Sequence, residues 1–123
     1  WNERRRQVAA WYRAALGDCP GLALPAEAPW CGRHVYHLFV VRPLERDRDT
    51  IARTLTAAGV QTVVHYPIPI HLQKAYAGLG LRAGTFPQAE QTARTVLSLP
   101  MFPEMTEDQV AQVAASLRTA LGA

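Results

Sequence analysis

Residues 63–76 read VVHYPIPIHLQKAY. Two of the four histidines, His65 and His71, fall inside this stretch, with Tyr66, Tyr76 and the one lysine, Lys74. A short apolar run over 60–64 leads in and reads as a buried strand. Pro67 and Pro69 then remove two backbone donors and fix φ, so neither a regular helix nor a central strand continues through them. Each proline also drives its predecessor, Tyr66 and Ile68, toward extended backbone. The segment predicts a stiff loop at a strand end carrying imidazole and phenol groups, a place where binding groups are displayed. A plainer reading has Tyr66, Ile68 and Ile70 plugging a core while the histidines cap nearby backbone.

Working back from this stretch, Gly59 stops a helix that runs to about Ala58. Asp47 or Asp49 caps its start, and Ile51, Ala52, Leu55 and Ala58 form its buried stripe. Residues 34–42, HVYHLFVVR, predict a strand. Val35, His37, Phe39 and Val41 alternate with His34, Tyr36, Leu38 and Val40, and both sets are largely apolar. That pattern predicts a central strand covered on both sides, with His37 a satisfied core histidine. Pro20, Pro25 and Pro29 make 18–33 an irregular connection. Val8, Ala9, Trp11, Tyr12, Ala15 and Leu16 give a first helix its apolar face, and Gly17 ends it. That helix is already under way at Trp1 with no good cap before it, which suggests a piece of something longer.

Working forward, Leu72, Ala75, Tyr76 and Leu79 share a face of a short helical segment. Gly78, Gly80 and Gly84 follow a helix rather than a strand, so they are no phosphate-cradling loop. Pro87 opens a helix to about Val96, on which Glu90 reads as a carboxylate on the solvated face. Residues 96–99 make a short strand stopped by Pro100. Thr106 and Gln109 form a capping box for the last helix, with Met105 and Val110 as its hydrophobic staple. Val110, Val113, Ala114, Leu117 and Leu121 are its buried stripe, and Gly122 its stop. Strand, helix and strand in succession predict an α/β layer, the strand direction being open.

The 123 residues suit one domain; 49% are hydrophobic and 19% charged, which is globular. No membrane span or signal peptide is evident, so a cytoplasmic location is the expectation. The net charge of +3 is slight. Arg4, Arg5 and Arg6 form the one basic cluster and lack interleaved aromatics, so nucleic acid is not an expected partner. Cys19 and Cys31 match no zinc pattern and read as free thiols. His34, His37, His65 and His71 have no carboxylate at useful spacing, so no metal is expected. Nothing favours a Ser/His/Asp or Cys/His arrangement, and Lys74 reads as a plain surface lysine.

The blocks HYPIPIHLQKAY, FPQAE and LSLPMFP, in this order and spacing, resemble the C-terminal part of the DegT/DnrJ/StrS aminotransferases. These are pyridoxal-phosphate (PLP) dependent sugar aminotransferases of the aspartate aminotransferase superfamily, and the resemblance covers nearly the whole chain. It implies an α/β (α+β) fold: the small C-terminal domain of a fold-type I enzyme, about three strands covered by helices. Residues 1–123 would be that single domain, with the large PLP-binding domain and its Schiff-base lysine upstream; Lys74 is not in the place of that lysine. By resemblance His65 and Tyr66 face the substrate, with His71 close behind. The intact enzyme would form a homodimer and move an amino group from glutamate or glutamine to a keto-sugar nucleotide. The isolated chain would be inactive. The alternative is a stand-alone binding module or a truncated remnant.

Overall fold

Val8, Ala9, Tyr12 and Leu16 recur at helical spacing, and helix α1 (Asn2–Leu16) buries all four. A computed structural model describes all 123 residues. After α1 come strands β1 (Leu22–Ala23) and β2 (Phe39–Pro43) and helix α2 (Arg48–Ala57). Two 3₁₀ turns, Ile70–Leu72 and Lys74–Leu79, lead to helix α3 (Pro87–Thr95), strand β3 (Leu97–Leu99) and helix α4 (Glu107–Leu121). The strands lie in the order β1-β2-β3, all antiparallel. This is the expected small α/β unit of three strands with helices.

Register decides which side chains enter the core. Phe39 lies opposite Leu99 and Val41 opposite Leu97, and all four are buried on one face. Tyr12 stacks on Phe39 with ring centroids 4.8 Å apart, and its hydroxyl donates to the Pro100 carbonyl at 2.8 Å. Burial pushes the Tyr12 phenol far up. Helix α4 packs against both α1 and α2 and supplies Val110, Val113, Ala114, Leu117 and Leu121 to the same core. Its capping box is complete. The Gln109 N–H donates to Thr106 Oγ1 at 3.3 Å, and the Thr106 N–H donates to Gln109 Oε1 at 3.0 Å. Asp47, rather than Asp49, caps α2 by accepting the Thr50 N–H at 2.7 Å.

Three expectations change. The strand over 34–42 begins only at Phe39, because Tyr36 sits in the left-handed region at φ 46°. The Tyr36 N–H turns back to donate to His34 Nδ1 at 3.0 Å, and its hydroxyl bonds Glu27 and Arg13. Alternation therefore breaks before Phe39, and His37 is exposed rather than a core histidine. β2 is the central strand, but only one of its faces is fully covered: Val40 and Arg42 on the other are half-buried. The strand over 60–64 shrinks to one bridge, Val63 with Ser98. Val60 is unable to join because its N–H closes the end of α2 on the Leu55 carbonyl at 2.9 Å. Strand β1, inside the Pro-rich connection, has no sequence signal beyond Leu22 and Leu24.

The basic cluster is structural. Arg4 donates to the Pro103 and Met105 carbonyls, Arg5 to Val35 and Arg6 to His34, all at 3.0–3.2 Å. Arg13 reaches the Pro25 carbonyl, Arg48 the Val96 carbonyl, and Arg118 donates twice to Ala15. The guanidinium fork satisfies carbonyls of irregular connections, and with Arg118 a last-turn carbonyl of α1, that no ladder reaches.

Leu117, fully buried, anchors α4. Leu117→Ala is expected to cost about 2–5 kcal/mol, and Thr106→Ala about 1 kcal/mol. Urea unfolding of the two variants measures both. A larger loss from the cap than from the core would contradict this account of α4.

Candidate functional site

The site starts at the Val63–Ser98 bridge. The Ser98 N–H donates to the Val63 carbonyl at 2.8 Å, and the Val63 N–H returns the bond at 3.2 Å. Two residues on, His65 Nδ1 lies 2.9 Å from Ser98 Oγ, so the strand end holds the imidazole as well as the backbone. The peptide between His65 and Tyr66 is cis. The Tyr66 ring stands edge-on to His65 at 5.4 Å and is 71% exposed. Ile68 and Ile70 are exposed too, so these three side chains do not plug the core. The structure thus sets aside the core-plug reading for Tyr66, Ile68 and Ile70, with His65 half-buried against Ser98.

His71 has a different environment. It is buried, and its Nε2 lies 3.0 Å from Glu90 Oε1. Glu90 is buried as well, which corrects its reading as a solvated-face carboxylate. The outward position on α3 is covered because the 70–86 segment folds over it. The same Oε1 accepts the Gly84 N–H at 2.8 Å. Burial pushes the Glu90 carboxyl up, but hydrogen bonds from Gly84, His71 and the Phe86 backbone outweigh it and hold the group below the ordinary carboxylate range. Phe86 packs edge-on against the His71 ring at 5.0 Å. Ile70, His71, Tyr76, Leu79, Phe86 and Pro87 line an open cleft of about 670 Å³.

His65 and Tyr66 thus share one edge, while His71 pairs with Glu90 on the wall of the cleft. His34 is engaged by Tyr36 and His37 is exposed; neither joins them. No three His, Cys, Asp or Glu side chains converge in metal-binding geometry, and Cys19 and Cys31 are free. Sequence reasoning missed Arg42. By strand alternation it shares the half-covered sheet face with Val40, whose register partner is Ser98. Its Nε is buried without a hydrogen-bond partner. Lys74 is exposed on the second 3₁₀ turn. No helix is long and apolar enough to cross a membrane.

The family model described as the DegT/DnrJ/EryC1/StrS aminotransferase family matches residues 1–118, and the chain belongs to that family. The chain is 48% identical over 118 residues to the erythromycin biosynthesis sensory transduction protein EryC1 of Saccharopolyspora erythraea, covering 96% of this chain and 31% of that one. It is 45% identical over 118 residues to the dTDP-3-amino-3,4,6-trideoxy-alpha-D-glucose transaminase of Streptomyces venezuelae, covering 96% and 30%. Among solved structures, Streptomyces venezuelae DesV in complex with a ketimine intermediate superposes with a TM-score of 0.91 at 41% identity, covering 100% of this chain and 32% of that one. The chain therefore spans about a third of the length of the relatives it matches.

The lowered Glu90 pKa makes a signed prediction. Its stabilisation is fully present above the ordinary carboxylate pKa and is lost as pH falls through the folded value. Glu90→Gln is expected to melt below wild type near neutral pH, with the gap narrowing as pH drops below about 4. Thermal melts across pH measure this; a gap that widens in acid would refute it.

Proposed function

We propose that this chain is the C-terminal, substrate-binding and closing unit of a longer sugar aminotransferase, which moves an amino group from glutamate or glutamine to a keto-sugar nucleotide. The observation that carries the reading is the His65–Tyr66 edge: an exposed phenol beside a half-buried imidazole that Ser98 holds, next to two prolines, in a chain that belongs to an aminotransferase family. A segment stiffened before binding loses little entropy on binding. With Nδ1 engaged by Ser98, His65 keeps Nε2 for one hydrogen bond to a sugar hydroxyl or a diphosphate, and the Tyr66 phenol can both donate to and accept from sugar hydroxyls. In this reading His65 and Tyr66 contact substrate, and His71 binds it from the wall of the cleft. The intact enzyme is proposed to be a cytoplasmic homodimer, with neither nucleic acid nor membrane as a partner.

The residues present do not fit the cofactor, pyridoxal phosphate. When bound, it supplies the electron sink for the proton shift at the substrate. Holding it takes a lysine at its aldehyde and a carboxylate at its ring nitrogen. Lys74 is exposed with no ion pair, and the buried carboxylate, Glu90, is engaged by His71 and Gly84. The cofactor lysine is therefore proposed to lie outside these residues, and the chain alone is proposed to be inactive. This unit's part is to bind and orient substrate and to exclude water.

Intact mass of the natural gene product after borohydride reduction tests this. The expected result is a chain about three times longer than 123 residues, with one reduced pyridoxyl adduct outside this sequence. An adduct on Lys74, or a product of this length with none, would overturn it. In the active protein Tyr66→Phe is expected to lower kcat/KM about tenfold, the scale of one lost hydrogen bond. Unchanged kinetics would remove Tyr66 from the site.

A further inference from the structure

Glu90 joins three pieces of chain that no ladder connects. One oxygen, Oε1, accepts from His71 Nε2 at 3.0 Å on the first 3₁₀ turn and from the Gly84 N–H at 2.8 Å in the turn before α3. Gly84 sits at φ 89°, with open space where a Cβ would stand. Glycine is needed there for the left-handed backbone that aims its N–H at Glu90, not for lack of room. Phe86 meets the His71 ring at an interplanar angle of 76°, setting its plane. The carboxylate, the glycine turn and the aromatic edge together leave His71 little freedom.

We infer that Glu90 is a positioning residue: it holds His71 with the proton on Nε2 and leaves Nδ1 as a hydrogen-bond acceptor on the wall of the cleft, making the cleft a site for a ring-bodied ligand that carries an O–H or N–H donor. An ionised carboxylate accepts only, so the hydrogen between Glu90 and His71 belongs to Nε2. In a neutral imidazole the other nitrogen then carries a lone pair. Nδ1 makes no hydrogen bond within the chain, and the buried side-chain atom lacking a partner is Arg42 Nε, so Nδ1 is not sealed away from a ligand. The cleft walls beside it, Ile70, Leu79, Phe86 and Pro87, are apolar. Thr85 is engaged in its own turn, its hydroxyl donating to the Arg82 carbonyl at 2.6 Å. Tyr76 and Gln88 also line the cleft, but no hydrogen bond holds either side chain, so His71 Nδ1 is its one oriented acceptor and favours a ring bearing one donor over the same ring without it. The inference rests on the substrate-binding reading only for what the natural ligand is; the tautomer stands apart from it, so the two fail separately.

Long-range ¹H–¹⁵N spectra of the ¹⁵N-labelled chain at pH 8 test the tautomer. The expected pattern for His71 is a protonated Nε2 and an unprotonated Nδ1. In Glu90→Gln it gives way to a tautomer mixture, and the Gly84 amide exchanges faster. The Nδ1–H tautomer, or a doubly protonated ring, in the wild-type chain would overturn the inference, and no variant is needed to see either. Titration with phenol, a ring with a donor, and anisole, the same ring without one, tests the site. Phenol is expected to move the His71 Nδ1 resonance saturably and to bind about three- to tenfold more tightly than anisole. His71→Lys keeps an N–H toward Glu90 but carries no acceptor, and is expected to abolish that preference. Equal binding of the two probes, or none of either, would overturn the site.

Discussion

Ser98 is the point on which the arrangement turns. Its backbone closes the last bridge of the sheet with Val63, and its hydroxyl holds His65 two residues later. Its neighbours Leu97 and Leu99 face the core, so the alternation of a three-residue strand puts Ser98 on the other face. A strand of Leu-Ser-Leu therefore does two things at once. Its apolar residues join the layer under α1 and α4, and its one polar side chain meets the segment leaving the sheet. Register makes this all-or-none: a slip of one residue would turn Ser98 into the core and leave its hydroxyl without His65.

The arginines explain how so small a sheet supports so much irregular chain. Three strands of two, five and three residues pair few backbone groups. The connections between them must place their carbonyls elsewhere or leave them to water. Arginine does this at Val35, His34, Pro103, Met105 and Val96, and does the same for Ala15 in the last turn of α1. Lysine, with a compact point charge, would not span pairs such as Pro103 and Met105 with one planar group. Six of the twelve arginines, Arg4, Arg5, Arg6, Arg13, Arg48 and Arg118, are thus internal wiring. Arg42 differs from these: its Nε is buried with nothing to bond, on the sheet face that carries Ser98.

The helices were legible because their signals are local. Thr106 with Gln109, Asp47 with Thr50, and the stripe from Val110 to Leu121 depend on neighbours within a turn or two. The strands were less so. Residues 34–42 alternate well as text, but a left-handed Tyr36, held by Glu27 and Arg13, breaks the strand where composition shows nothing unusual. The apolar run over 60–64 was right in kind and wrong in extent, since Val60 serves the end of α2. At the site, the two prolines announced a stiff segment, yet periodicity alone could not say whether Tyr66, Ile68 and Ile70 point inward or outward. That depends on where the sheet stops.

Glu90 shows the limit most clearly. On a helical wheel it shares a face with Pro87, Ala93 and Arg94, and one small apolar residue beside it does not announce the burial of a carboxylate. Its environment comes from a turn and a 3₁₀ segment up to nineteen residues earlier in the chain. A buried carboxylate without partners would be strongly unfavourable, so it is stable there only because His71 and Gly84 arrive together. The converse also holds. The 70–86 segment has few apolar side chains turned inward, as the exposure of Ile70, Leu72, Tyr76 and Leu79 shows. A segment without its own core needs a polar anchor to have one shape. The buried pair is thus better understood as what specifies the cleft than as what stabilises the domain, and its cost is the reason the two halves of the pair depend on each other.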